Sequence, residues 1–319
     1  MQRKKGPEAL TVGETMVMVA SPTPGAISAE TSFMLRPGGA EANVAVHLAR
    51  LGHCVEWAGL LGADPFGSLV LSYLEDVGVG VEHVRTVPGA PTGVYFKDAS
   101  PDGTRVYYYR TGSAASQMDT TYVESLRGIE PAVLHLSGIT PALSDDCHEA
   151  MRRLLIDRAV ATPCVSFDVN YRPGLWRDSN AGDVMRELAA SADVVFVGLD
   201  EATSLWNVTS APQVRALLPE PKVLVVKNSS HGAISFGPEG VLQETPATVA
   251  VVEPVGAGDA FAAGWLSGLL RGADPRQRLV LGHAIAGHVL QTTFDDTDLP
   301  ASLGVGPQSV GRVHQPSAE

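Results

Sequence analysis

The stretch VEPVGAGDAFAAGWLSGLL, Val252 to Leu270, sets two glycines and an aspartate directly ahead of a long run of small and apolar residues. The run reads as a helix, entered through Gly256, Ala257 and Gly258. With nothing larger than a methyl group there, backbone N–H groups can converge on one point at the positive end of the helix dipole, which makes an anion hole. The stretch is not a Walker loop, because no G-x-x-x-x-G-K-[ST] occurs in the chain, nor a dinucleotide fingerprint, because Phe261 stands where the third glycine should be. Asp259 then has two readings. It is an N-cap whose carboxylate satisfies first-turn amides, or it is a general base beside a phosphate in transfer, placed to take a proton from an attacking hydroxyl.

Upstream of this stretch, strand-like and helical segments alternate: TVGETMVMV, AEANVAVHLARL, CVEWAGLLG and FGSLVLSYLEDVG, then AVLHLSGI, CHEAMRRLLIDRAV, CVSFDVN, AGDVMRELAASA, DVVFVG, EATSLW and KVLVVKN. This rhythm predicts an α/β fold, a doubly wound and mostly parallel sheet with helices on both faces. Two segments break it. Residues 21–37 are rich in Pro, Ser and Gly, and residues 92–110 read as a hairpin around Pro101, Asp102 and Gly103. Strands without an intervening helix predict a small β-sheet lid, formed from about 21–37 and 90–112, on a single domain spanning 1–319. The segment 304–319 lacks periodicity and is expected to be a flexible tail.

The chain has 319 residues, 45% of them hydrophobic, enough for a sizeable core. Lys plus Arg number 23 against 35 Asp plus Glu, a net charge of −12, which argues against nucleic acid or an anionic membrane as partner. Cys54, Cys147 and Cys164 are far apart and suggest neither a disulfide framework nor a zinc site, so reduced, buried thiols are expected. Glu8 and Glu14 interrupt the basic-then-apolar start, which suits a first strand better than a signal peptide. No apolar run approaches the ~18 residues of a membrane span, and a cytoplasmic enzyme is expected, with the N-x-S/T matches at Asn207 and Asn228 due to chance.

Gly38 and Gly39 would let a ligand touch the backbone ahead of a helix bearing Asn43; the plainer account is a tight turn with Asn43 facing solvent. Alternation along TRVYYYR puts Val106, Tyr108 and Arg110 on one face, which Tyr95 of the partner strand can join. An arginine among tyrosines suits a carboxylate or phosphate, since the guanidinium fork binds two oxygens at once; the same aromatics would also serve a lid or an oligomer interface. Asp168, Asn170 and Arg172 follow a buried strand, where doubly wound folds place their ligands, although Arg172 could instead cap a helix or pair with an acid.

Taken together, VGAGDAFAAG, GGAEANVAVHLARLG and DVNYR resemble the ribokinase-like sugar kinases, the phosphofructokinase B family, over about residues 10–295. The resemblance implies a ribokinase-like fold and transfer of the ATP γ-phosphate to a sugar hydroxyl with Mg²⁺, Asp259 acting as base and Gly256 to Gly258 as anion hole. FKD, VYYYRTGSAAS, HLSGITPALS and DVNYRPGLW look most like the 2-keto-3-deoxygluconate kinases within it. That implies a keto acid held by Gly39, Tyr95, Tyr108, Arg110, Ile139 and Arg172, with Gly38, Asn43 and Asn170 at the sugar. Met18 stands where relatives for neutral sugars place an aspartate. The rivals are a kinase for a neutral sugar such as fructose and a catalytically weak sugar-binding sensor.

There are departures from the family pattern. The nucleotide loop reads KNSSHG, keeping Lys227 and Gly232 but with Ser229 for the first glycine; Glu253 opens the last motif; and GLDE, with Gly198 in front, keeps only Glu201 of the acid motif tied indirectly to magnesium. His283 stands in for an adenine-side asparagine. The resemblance therefore implies that Lys227, Ser229, Gly232, Gly256, Gly258 and His283 hold the nucleotide. Homo-oligomers are expected, and assistance by a monovalent cation is left open.

Overall fold

Runs of Val, Leu and Phe bounded by turn residues form strands, because β-branched and aromatic side chains pack well on a pleated surface covered on both sides. A computed structural model describes residues 6–21, 28–100, 103–176, 180–292 and 299, without the side chains of 99, 100, 103 and 104. In chain order the elements are β1 (Ala9–Val12), β2 (Met16–Ala20), β3 (Met34–Gly38), α1 (Ala40–Arg50), β4 (Val55–Ala58), β5 (Leu60–Gly62), α2 (Pro65–Asp76) and β6 (Arg85–Val87). The hairpin β7 (Val94–Ser100) and β8 (Gly103–Tyr109) follows, then α3 (Thr120–Glu124), β9 (Val133–Ser137), α4 (Asp145–Leu155), β10 (Val165–Asp168), α5 (Ala181–Ala190) and β11 (Val194–Gly198). The remainder is α6 (Leu199–Trp206), α7 (Ala211–Leu217), β12 (Val223–Lys227), β13 (Ala233–Gly237), β14 (Gly240–Glu244), α8 (Ala257–Leu270) and α9 (Pro275–Val289).

The main sheet has the order β14-β13-β12-β11-β10-β9-β1-β4, parallel from β4 to β12 with β13 and β14 antiparallel at one edge. Alternate residues of one strand feed opposite cores. Leu134 and Leu136 of β9 pack with Met151 of α4 and Leu188 of α5, whereas Val133 packs with Leu48 of α1 and Trp265 of α8. The rings of Phe196 and Trp265 meet edge to face at 5.4 Å, and truncating either to alanine should cost about 3–5 kcal/mol. Helix α8 is buried continuously from Asp259 to Gly268, which explains its uniformly small and apolar composition. A Cβ on Gly264 would come within 2.7 Å of the Leu281 carbonyl of α9.

A second, four-stranded sheet has the order β3-β2-β7-β8. The stretch TVGETMVMV, read as one strand, is therefore two. The chain leaves the main sheet after Val12, crosses at Gly13 to Thr15, and enters the small sheet as β2. Gly13 permits the crossing, since a Cβ there would lie 2.2 Å from the Glu41 carboxyl carbon. CVEWAGLLG divides in the same way, into β4 of the main sheet and β5, which pairs with β6 in a two-stranded sheet. Residues 22–27, Pro101, Asp102 and the segment 304–319 lie outside the described residues. Cys147 is buried and Cys164 half-buried, but Cys54, in the turn ahead of β4, is exposed, contrary to the expectation of three buried thiols. Among the described residues no helix is long and apolar enough to cross a membrane.

Candidate active site

The C-terminal ends of β10 and β12 approach the first turn of α8, the place where open parallel sheets hold ligands. Gly256 is the N-cap of α8 with φ +85°, a left-handed conformation suited to glycine. Asp259 lies in the first turn, yet its carboxylate caps nothing. Oδ2 accepts from the side-chain amide of Asn43 over 2.8 Å, and Oδ1 from that of Asn170 over 3.1 Å. Asn43 is accordingly buried rather than facing solvent. Burial pushes the Asp259 carboxyl up to about 7; the bond from Asn43 opposes the shift and the nearby Asp168 charge adds to it.

Lys227, at the end of β12, donates to Oδ2 of Asp168 over 2.8 Å. Its ammonium also borders the α8 entry, because a Cβ on Gly258 would sit 3.4 Å from it. Burial works against the charged ammonium, but Asp168 and Glu201 more than offset this and hold its pKa above the ordinary value. Glu201 accepts from the Gly198 N–H over 2.8 Å, a bond a glycine backbone supplies as well as any other residue, so the thinned GLDE motif still fixes its acid. Burial raises the Glu201 carboxyl, with Lys227 opposing. Oδ1 of Asp168 is buried and has no hydrogen-bond partner among the described residues. An orphaned carboxylate oxygen beside a second acid fits a hard cation such as Mg²⁺, which needs only one or two carboxylates when phosphate and water complete its shell.

On the other side of Lys227 the turn Asn228 to Gly232 leads into β13. Ser229 has φ +45°, so the replaced glycine does occupy a left-handed position. Gly232 has φ +101°, and a Cβ there would strike the Glu244 carbonyl oxygen at 2.1 Å. His283 Nε2 is 3.1 Å from that same oxygen, which requires the Nε2–H tautomer, and burial lowers the ring's pKa. Its edge meets Phe261 at 5.0 Å between ring centroids. A cavity of about 320 Å³ opens here, lined by His283, Glu244, Pro246, Ala247, Val280 and Ala284.

The small sheet supplies the third wall. Tyr95 and Tyr108 are register partners with ring centroids 5.7 Å apart, and the Arg110 guanidinium lies 5.5 Å from the Tyr108 centroid. The Tyr95 hydroxyl presses on Gly38, where a Cβ would fall 2.1 Å away; a Cβ on Gly39 would meet the Glu14 carbonyl oxygen at 2.3 Å. Met18 registers with Tyr95 and is fully buried. Ile139, half-buried in the turn after β9, donates its N–H to Ser137 Oγ over 3.2 Å. The two arginines differ. Arg172 is 45% exposed and reaches Glu201 only at 3.8 Å, whereas Arg110 is 8% exposed and forms a 2.7 Å ion pair with Glu14, itself 1% exposed. A cavity of about 350 Å³ borders Arg110, with Pro141, Leu143, Ser144 and Trp176 among its walls.

The pattern of pfkB family carbohydrate kinases matches residues 7–302. The chain belongs to that family. It is 32% identical over 299 residues to the 2-dehydro-3-deoxygluconokinase of Thermoproteus tenax, covering 92% of this chain and 91% of that one. To the 2-dehydro-3-deoxygluconokinase of Bacillus subtilis (strain 168) it is 33% identical over 305 residues, with 92% of each covered. The crystal structure of a PfkB protein from Polaromonas sp. JS666 superposes with a TM-score of 0.80 at 33% identity, covering 93% of this chain and 99% of that chain.

As a pfkB kinase the protein is an ATP-dependent sugar phosphotransferase rather than a binding-only sensor, and its ribokinase-like fold agrees with the resemblance seen in its motifs. Two acids of this kinase are missed as site residues in the sequence. Glu14 lies in what reads as a strand, and Glu41 in what reads as the first turn of an amphipathic helix. Oε1 of Glu41 accepts from Ser137 N over 3.1 Å and from Ser137 Oγ over 2.8 Å, tying α1 to the turn that carries Ile139, and burial pushes its carboxyl up to about 7. Only the crossing at Gly13, a glycine beside an acid amid apolar residues, hints at either of them.

Proposed function

We propose that this kinase phosphorylates 2-keto-3-deoxygluconate, also called 2-dehydro-3-deoxygluconate, or a close sugar acid, using ATP and Mg²⁺. The observation that carries the substrate class is the buried guanidinium of Arg110 set beside Tyr108, with Tyr95 and the apolar Met18 in the adjoining strands. Such a wall offers a carboxylate a charge-assisted contact and lacks an acid to compete for sugar hydroxyls near Met18. The names borne by the relatives support the same class.

In this reading Asp259 takes the proton from the attacking hydroxyl, and its position between Asn43 and Asn170 aims it. Amides at the α8 entry, from Gly256 to Gly258, and the Lys227 ammonium receive the charge of the transferring phosphoryl group; each such preorganised donor is typically worth ~3–4 kcal/mol. Magnesium, when bound, neutralises phosphate charge, and Asp168 and Glu201 are the residues that would hold it. The Ser229 to Gly232 turn and the cavity beside His283 take the nucleotide. Closure of the small sheet over the acceptor excludes water. Leu35 and Tyr107 are exposed on the outer face of that sheet, where a second copy of the chain would pack, and the cytoplasm is the expected compartment.

A second reading, a neutral acceptor such as fructose, has one observation in its favour: Glu14 already cancels the charge of Arg110. Arg172→Ala separates the two. It removes an exposed arginine whose ion pair with Glu201 spans 3.8 Å, and should cut kcat/KM for the keto acid by ~10–150-fold while changing turnover of neutral sugars far less. Equal losses on both, or none, would contradict the acid assignment.

A further inference from the structure

The chain enters or leaves the small sheet at Gly13 to Thr15, at Gly38 to Gly39, between β6 and β7, and at Arg110 to Ser113, and Glu14 touches the first, second and last of these crossings. Its backbone oxygen abuts Gly39, its Oε2 lies 2.7 Å from Arg110 Nη2, and its Oε1 accepts from Ser113 Oγ over 3.2 Å. The return crossing is pinned by Ala114 N donating to Pro91 O over 2.8 Å, so the acid and its arginine sit on segments that must move together if the small sheet moves. The Glu14–Arg110 contact has the distance of an ion pair without the angle of a directed hydrogen bond, and Arg110 Nε is likewise without a hydrogen-bond partner among the described residues. A guanidinium so held is neutralised but not used up.

We propose that Glu14 is a positioning residue for acid recognition: the buried counter-ion that aims Arg110 at the acceptor from the hinge of the small sheet, and whose charge an acceptor carboxylate must displace. This rests on the sugar-acid reading above. A second carboxylate arriving at the same guanidinium meets like-charge repulsion from Glu14, which is relieved if Glu14 takes up a proton. Its carboxyl is already pushed up by burial, with Arg110 and Ser113 opposing. The charged and titratable groups around it are Arg110 on the return crossing, Glu41 of α1, which it helps to push up, Asp259 beyond Glu41, and Cys147 of α4.

The test is the ratio of kcat/KM for 2-keto-3-deoxygluconate to that for fructose, measured in wild type, Glu14→Gln and Glu14→Ala. Glutamine keeps the shape and an acceptor oxygen but drops the competing charge, so the ratio should rise about tenfold; alanine also drops the aim, so the ratio should fall about tenfold, each the size of one charge-assisted contact. A brace with no part in recognition would lower both substrates together. A wild type with no preference for the acid would overturn the substrate reading beneath the proposal, whereas a clear wild-type preference with an unmoved ratio in both variants would overturn the role of Glu14 itself. Should Glu14→Ala fail to fold, Glu14→Gln alone decides, by the same rise or its absence.

Discussion

Asn43, on the helix that follows the glycine pair, donates its side-chain amide to Oδ2 of Asp259, 216 residues away along the chain, over 2.8 Å. Removing that donor in Asn43→Ala should lower kcat/KM by ~10–150-fold, the loss expected for one hydrogen bond to a charged group. Because the bond holds the Asp259 pKa down, the acid limb of the pH–rate profile should also move to higher pH. An unshifted limb would show that Asn43 does not reach the base during turnover.

Asp259→Asn should leave ATP binding nearly intact and lower kcat by ~100-fold or more, the usual size of general-base catalysis. Calorimetric ATP titration beside steady-state kinetics checks both halves. Retention of most of the turnover would remove Asp259 from the chemistry.

The pH dependence has a definite sign. A base works deprotonated, and burial has raised Asp259 from 3.8 to about 7, so kcat/KM should fall about tenfold per unit as pH drops below about 7 and level off above it. A carboxylate at its ordinary value would give a flat profile from pH ~5 upward. Stability should run the other way. With Asp259 and Glu41 both raised to about 7, the folded state binds more protons than the unfolded one, so their contribution declines as pH rises from the ordinary carboxylate range to about 7.

Ser229 pays a left-handed backbone at φ +45°, and glycine adopts that conformation freely. Ser229→Gly should fold with an equal or higher Tm and an equal or lower KM for ATP. Gly232→Ala should do the opposite, since its Cβ would meet the Glu244 carbonyl oxygen at 2.1 Å. Collapse of ATP binding in Ser229→Gly would mean that the serine hydroxyl itself touches nucleotide.

Much of this site is legible in the sequence, and what is hidden has a physical cause. The alternation of strands and helices reports the parallel sheet because each period reflects which faces are buried. GAGD shows the helix entry because only small residues permit it. The partition of TVGETMVMV between two sheets is hidden, since both halves are buried strands of one composition and the break depends on Gly13 meeting Glu41 from elsewhere in the chain. Buried acids hide for the same reason. Glu14 and Glu41 look like ordinary solvated carboxylates until tertiary contacts supply Arg110 and Ser137. That the Asp259 carboxylate faces two asparagine donors instead of capping its helix is likewise a tertiary fact.

Arg110→Ala would leave Glu14 buried without its counter-ion, and breaking a buried pair from one side costs about 3–5 kcal/mol. Its Tm should therefore fall well below that of wild type, whereas Arg172→Ala, at a half-exposed residue, should unfold near the wild-type temperature. Equal Tm values for the two variants would show that the Glu14–Arg110 pair carries no structural weight.

The claim that this pfkB kinase acts on a sugar acid is tested most directly by one coupled assay of ATP consumption, run on the wild-type protein with 2-keto-3-deoxygluconate, other sugar acids, neutral sugars and nucleosides. With Asp259 as base and Arg110 and Arg172 at the acceptor, kcat/KM should be highest for the keto acid, by ~10-fold or more over fructose, the worth of at least one charge-assisted contact. Turnover of fructose or a nucleoside as efficient as that of any acid would contradict it.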